Sequence, residues 1–250
     1  MTSRRLALQH EDDATGLVAS VFADIRRRMS FTPAIFKALA TDPPALERAW
    51  VHARAVVDDG RFAAATSRLL AAARTPVSVR ASPQLADALR PFTTELPGML
   101  LVVSSLGLAL DGRLPLVPPP PLGLVDGEAP PEPTVPEARG EHPLYDAVRE
   151  LYGTEHVPTL YRSLAARGLL DEAWPAVSSL LTGDDGAASV ARLAEAGERE
   201  AVVFDGAACF DVERTRPILD QFRIALPRNL VVAVALSESA DRPLPGSPSA

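Results

Sequence analysis

The sequence predicts an all-α fold, built as an internally duplicated helical pseudo-dimer whose two half-domains are joined by a proline-rich linker. Three observations predict it. Apolar residues recur at helical spacing through most of the chain, strand signals are few, and two blocks occur twice in the same order. The first block is "PAIFKALATDPPALERAW" (residues 33–50), answered by "PTLYRSLAARGLLDEAW" (158–174). The second is "FTTELPGMLLVVSSLGLALD" (92–111), answered at constant offset by "FRIALPRNLVVAVALSESAD" (222–241). A period of roughly 100 residues is too long for a solenoid and suits two halves packed about a pseudo-twofold.

Along the chain, "LVASVFADIRRRM" (17–29) puts Leu17, Val21, Ile25 and Met29 on one helical face, with Arg26–Arg28 expected in solvent. Thr32-Pro33, Asp42-Pro43 and Ser82-Pro83 each read as an N-cap followed by proline at the first helical position. From Ala45, the residues Leu46, Trp50, Ala53 and Val57 hold the helical period until "DDG" (58–60) ends it. Pro97 and Pro227 are expected to open a long apolar helix each, which gives about six helices per half. "EAVVFDG" (200–206) is the one short strand candidate. Residues 114–143 hold ten of the 24 prolines, a density that excludes helix or sheet interior and predicts extended polyproline structure. The expected organisation is therefore a first helical repeat (1–113), a linker (114–143) and a second repeat (144–250).

Bulk properties narrow the function. The 250 residues can bury a real core. A net charge of −7 argues against a nucleic-acid partner, which needs a basic stripe. The single cysteine, Cys209, excludes a disulfide framework or a multi-thiolate zinc site within one chain. "MTSRRLALQHEDDATG" lacks the apolar core of a secretory signal, and the apolar run 97–110 is short for a bilayer. A cytoplasmic protein with no membrane partner is expected.

The hydrolase and nucleotide motifs G-x-S-x-G, P-loop, HExxH and GxGxxG are absent. The histidines His10, His52, His142 and His156 have no metal-binding spacing, so no metal is expected. Asp58-Asp59 and Asp184-Asp185 read as solvated turns after helices rather than acid–base pairs. Trp50 and Trp174, at matching helix positions, read as core anchors. Glu95 and Glu155-His156 stand just before Pro97 and Pro158. They either face solvent near a helix dipole or line a pocket at helix N-termini, where an anion is welcome.

Together, "FADIRRRMSFTPAIFKALATDPPALERAW", the "FxxxLPxxLL" block and their second copies resemble the DehI-type (group I) 2-haloacid dehalogenases, within the AhpD-like helical superfamily. The resemblance runs from about Leu17 to Asp241. It implies a buried pocket between two helical repeats and removal of halide from either enantiomer of a 2-haloalkanoate with inversion. It also implies direct attack by water, with no covalent ester, metal or cofactor. In that family an aspartate just before the aromatic of the second-repeat "F/Y-x-x-LA" element activates the water. An asparagine just before the proline of the first-repeat apolar helix assists.

At those two positions this chain carries Leu160 and Leu96, and leucine can neither deprotonate nor orient water. A shift by one residue brings in Thr159 or Glu95. The candidate bases are then Glu95 and His156, and the candidate pocket residues are Phe36, Phe92, Leu96, Thr159, Leu160 and Tyr161. The thiol peroxidase branch of the superfamily needs a reactive cysteine pair, which Cys209 alone does not supply. Three readings stay open: a hydrolase on a small (halo)carboxylic acid, a catalytically silent binder of a small organic acid or apolar molecule, and a purely structural or partner-binding helical protein with a filled cavity. Pairing of pseudo-dimers is common in the family, which admits a homodimer.

Overall fold

In the computed structural model, residues 6–29, 31–76, 79–118, 122–124, 136–138, 140–207 and 211–239 are described. Helix α1 (Gly16–Met29) buries Val18, Val21, Phe22 and Ile25 at the expected spacing. It also buries Asp24, which accepts a hydrogen bond from Trp50 Nε1 at 2.9 Å and is flanked by Arg28 and Arg54. Arg26 and Arg28 therefore do not simply extend into solvent. They are partly buried and pair with Glu11 and with Asp24 and Asp58.

After α2 (Ala34–Leu39) comes α3 (Pro43–Val57), capped by Asp42, whose side chain accepts from the Ala45 amide at 3.3 Å. Next follow α4 (Phe62–Ala72) and α5 (Pro83–Leu110). The latter is capped by Ser82 through the Leu85 amide at 3.2 Å. The second half runs α6 (Tyr145–Tyr152), α7 (Thr159–Ala166), α8 (Leu170–Thr182), α9 (Asp184–Ala201) and α10 (Val212–Ser239). Both α5 and α10 are 28 residues long, and they make the most extensive helix contact in the molecule. The fold is all-α.

Three expectations need correction. Pro97 and Pro227 do not open helices; they lie inside α5 and α10. A proline in a helix interior forfeits one backbone hydrogen bond and costs about 3 kcal/mol. Here every residue from Leu96 to Leu110 is buried, and each large aliphatic side chain buried gains about 1.5–3 kcal/mol, so continuity wins. Two anticipated helices thereby fuse, leaving five per half among the described residues.

The strand candidate shrinks as well. Glu200 and Ala201 finish α9, and only β2 (Gly206–Ala207) pairs, in parallel, with β1 (Leu116–Val117). Lastly, Asp184 and Asp185 form the first turn of α9, where carboxylates favour the helix dipole, whereas Asp58 and Asp59 do fall in the turn after α3. Gly186 permits this close start: a Cβ there would lie 1.7 Å from the Leu180 carbonyl oxygen.

The apolar helix α5 is long enough to cross a membrane, but 83% of its most apolar stretch is buried inside the protein. It is the core helix. Trp50 is fully buried, as its reading as an anchor requires. Half of the proline-rich linker, like Cys209, lies outside the described residues.

Candidate functional site

A cavity of about 500 Å³ lies where the starts of α2 and α7 meet the facing walls of α5 and α10. The α5 wall presents Phe92, Glu95, Leu96 and Met99, spaced i, i+3, i+4, i+7 along one helical face. The α10 wall presents Phe222, Ala225, Leu226 and Asn229 at the same spacing. The helix starts match likewise: Pro33, Ala34, Ile35 and Lys37 on one side, Pro158, Thr159, Leu160 and Arg162 on the other. Just before them stand Phe31 and His156. The shape of the wall is thus repeated, but its chemistry is not. Glu95 stands opposite the register of Ala225, Met99 that of Asn229, and Phe31 that of His156.

Of the residues singled out from sequence, Phe92, Glu95, Leu96, His156, Thr159 and Leu160 line this cavity. Phe36 and Tyr161 do not. Successive residues of a helix point about 100° apart, so once Ile35 and Leu160 face the cavity, their successors turn into the core. Phe36 meets Trp50 edge-on with ring centroids 5.4 Å apart. The Tyr161 hydroxyl lies 2.6 Å from that of Tyr152. Burial pushes the phenols of both tyrosines up, so they stay neutral.

His156 is the most informative residue in the wall. Its side chain is 8% exposed and its ring packs beside Phe222, with centroids 5.6 Å apart. Burial, reinforced by the positive charges of Arg162 and Arg149, lowers its pKa from 6.5 to about 4. The ring is therefore neutral at pH 7, and its buried Nε2 has no hydrogen-bond partner. On the α10 wall, the buried Oδ1 of Asn229 is also without a partner. The cavity's two cations sit beside carboxylates: Lys37 Nζ is 3.2 Å from Glu11, and Arg162 Nε is 3.4 Å from Glu137.

Sequence reasoning missed Asn229, Met99, Lys37 and Arg162. The signal that finds them is the repeat itself: extending the spacing from Phe92 reaches Met99, and the constant offset carries that position to Asn229. Among the described residues, no three His, Cys, Asp or Glu side chains stand together as a metal-holding group. What the site offers is one neutral imidazole, carboxamide and carboxylate oxygens, two cations and a largely apolar wall. The filled-cavity reading has no support at this place, because the cavity is there.

No family model and no curated protein matches the chain. Solved structures do. A D-2-haloacid dehalogenase mutant in complex with D-2-CPA superposes with a TM-score of 0.77 over 94% of this chain and 96% of that one, at 12% identity. A D-2-haloacid dehalogenase mutant gives 0.76 over the same shares at 13% identity. The D-2-haloacid dehalogenase complex with L-LA gives 0.75 over 96% of this chain and all of the other, at 14% identity. The chain is an all-helical protein with the fold of the D-2-haloacid dehalogenases. At this identity the likeness carries the fold and not the chemistry.

Proposed function

We propose that this chain is a cofactor-independent hydrolase acting on a small 2-halocarboxylic acid, with His156 as the base that activates water. One observation carries the proposal: a buried, neutral imidazole faces the cavity with its Nε2 unpaired. A base with a pKa of about 4 matches an ordinary carboxylate in strength and is unprotonated at neutral pH. In the proposed step, water attacks C2 and the C–O bond forms as the carbon–halogen bond breaks. The electron pair leaves with the halide, the water proton passes to Nε2, and the products are a 2-hydroxy acid and halide. Asn229 Oδ1 accepts the second water hydrogen and aims the lone pair. Leu96, Leu160, Phe92 and Phe222 keep the surroundings dry, and Lys37 and Arg162 supply positive charge for the carboxylate. The matched walls support an origin by duplication, with repeats at 1–113 and 144–250.

A second reading, a catalytically silent binder of a small organic acid, is favoured by Leu96 and Leu160. They occupy the positions where the family implies asparagine and aspartate. A single-turnover reaction of excess protein with 2-chloropropionate in ¹⁸O-water separates the two. Hydrolysis by direct attack places the label in lactate during the first turnover, and His156→Phe abolishes it. Binding of the acid without product formation would leave only the second reading standing.

A further inference from the structure

Beside the main cavity lies a second, smaller chamber of about 240 Å³, and we infer that it is a binding site for a small monovalent anion. Three residues of its wall each carry a buried polar atom without a hydrogen-bond partner: Tyr145 Oη and Arg149 Nε from α6, and His156 Nε2 from the segment before α7. Arg162 from α7 completes the polar wall. Native proteins leave few buried polar groups unpaired, and three carried by the wall of one space point to an occupant. The guanidinium Nε carries an obligatory proton and the phenol is a strong donor, so the occupant presents acceptors.

Charge decides what kind of acceptor. Two carboxylates, Glu141 and Glu155, also line the chamber, and others approach its arginines. Arg149 pairs through its Nη atoms with Asp146 at 2.6 Å and with Glu141 at 3.7 Å, while Arg162 Nε lies 3.4 Å from Glu137. The side chains of Asp146 and Glu141 are 93% and 62% exposed, so water screens them. The arginine side chains are only 20% exposed. On the wall the two spaces share, burial first and the charges of Arg162 and Arg149 after it lower the pKa of His156. A wall that holds a buried guanidinium Nε–H and a phenol, with its most exposed carboxylates screened by water, suits a halide or a small carboxylate.

His156 and Arg162 line both spaces, so an anion in the chamber sits next to the group proposed as the base. Either the halide released by hydrolysis or the carboxylate end of an organic acid has the required chemistry. The inference rests on the chamber alone and holds whether or not the protein turns over.

The test is calorimetric titration of the full chain, in halide-free and carboxylate-free buffer, with sodium bromide and separately with sodium acetate. Saturable binding of at least one is expected, weakened at least tenfold by Tyr145→Phe, with the melting temperature of that variant unchanged or raised. Bromide alone assigns the chamber to the leaving halide; acetate alone assigns it to a carboxylate. A bromide-soaked crystal of the unaltered protein should show anomalous density within contact distance of Tyr145 Oη and Arg149 Nε. No saturable binding of either anion, unchanged binding in Tyr145→Phe, or a chamber filled only by water would overturn the inference. Bromide binding by a protein that releases no halide would leave this site standing and remove the hydrolase reading.

Discussion

His52 is fully buried between α3 and α5, and its Nε2 lies 2.8 Å from Ser105 Oγ. Burial lowers its pKa from 6.5 to about 4, so the folded protein resists protonating a ring that the unfolded chain protonates readily. Above pH 6.5 the ring is neutral in both states and contributes nothing to pH dependence. As pH falls from 6.5 towards 4, the unfolded state binds the proton first and stability drops by about 1.4 kcal/mol per unit. At pH 5 the loss from His52 is about 2 kcal/mol, a sizeable part of a typical stability of 5–15 kcal/mol. His156, lowered to about the same value, adds a similar loss. Asp59 acts in a separate window: held down to about 2 by its hydrogen bond with Arg61, it titrates well below this range. Urea unfolding followed by helical circular dichroism at pH 7, 6 and 5 measures the effect. His52→Asn should flatten the slope by about 2 kcal/mol between pH 7 and 5, whatever its stability at pH 7. An unchanged slope in that variant would refute the assignment of the acid sensitivity to this buried ring.

Three other predictions follow from the packing and the site. Gly186→Ala places a methyl 1.7 Å from the Leu180 carbonyl oxygen and should cost at least about 3 kcal/mol by urea unfolding, whereas Gly60→Ala, where a Cβ meets nothing within 4 Å, should cost less than about 1. Tyr152→Phe leaves the buried Tyr161 hydroxyl unpaired and should cost about 1–3 kcal/mol. The double change of Tyr152 and Tyr161 to Phe should cost less than the sum of the two single changes, because no unpaired hydroxyl remains. Leu160→Asp introduces a carboxylate into the cavity wall and should raise halide release from 2-chloropropionate at least tenfold if water reaches that position. The gain should be accompanied by a stability loss of about 2–4 kcal/mol from burying the charge in place of a leucine.

Much of the fold is legible in the sequence, for identifiable reasons. Asp42 and Ser82 signal their helices because capping is local: an oxygen finds an amide three residues on. Pro97 misleads because its local rule is overridden by burial along Leu96–Leu110, which depends on α10 and α9 lying alongside. The wall positions Phe92, Glu95 and Leu96 are readable from helical spacing. Phe36 and Tyr161 are not, since the rotational phase of a short helix is set by what it packs on rather than by its own six or eight residues. The partnerless atoms of His156, Asn229, Tyr145 and Arg149 come from three separate segments, and no local pattern announces their environment. The repeated sequence blocks do carry part of the answer. They say that two walls match, and they leave unstated which side keeps the polar groups.

The most direct test of the central claim is the initial rate of halide release from racemic 2-chloropropionate at pH 7.5, for the intact chain and for His156→Phe. That substitution gives the second half the residue that Phe31 supplies to the first. Release by the intact chain is expected, with a fall of about a hundredfold or more in the variant, the usual worth of a general base. No release by the intact chain, or equal release by both, would contradict it.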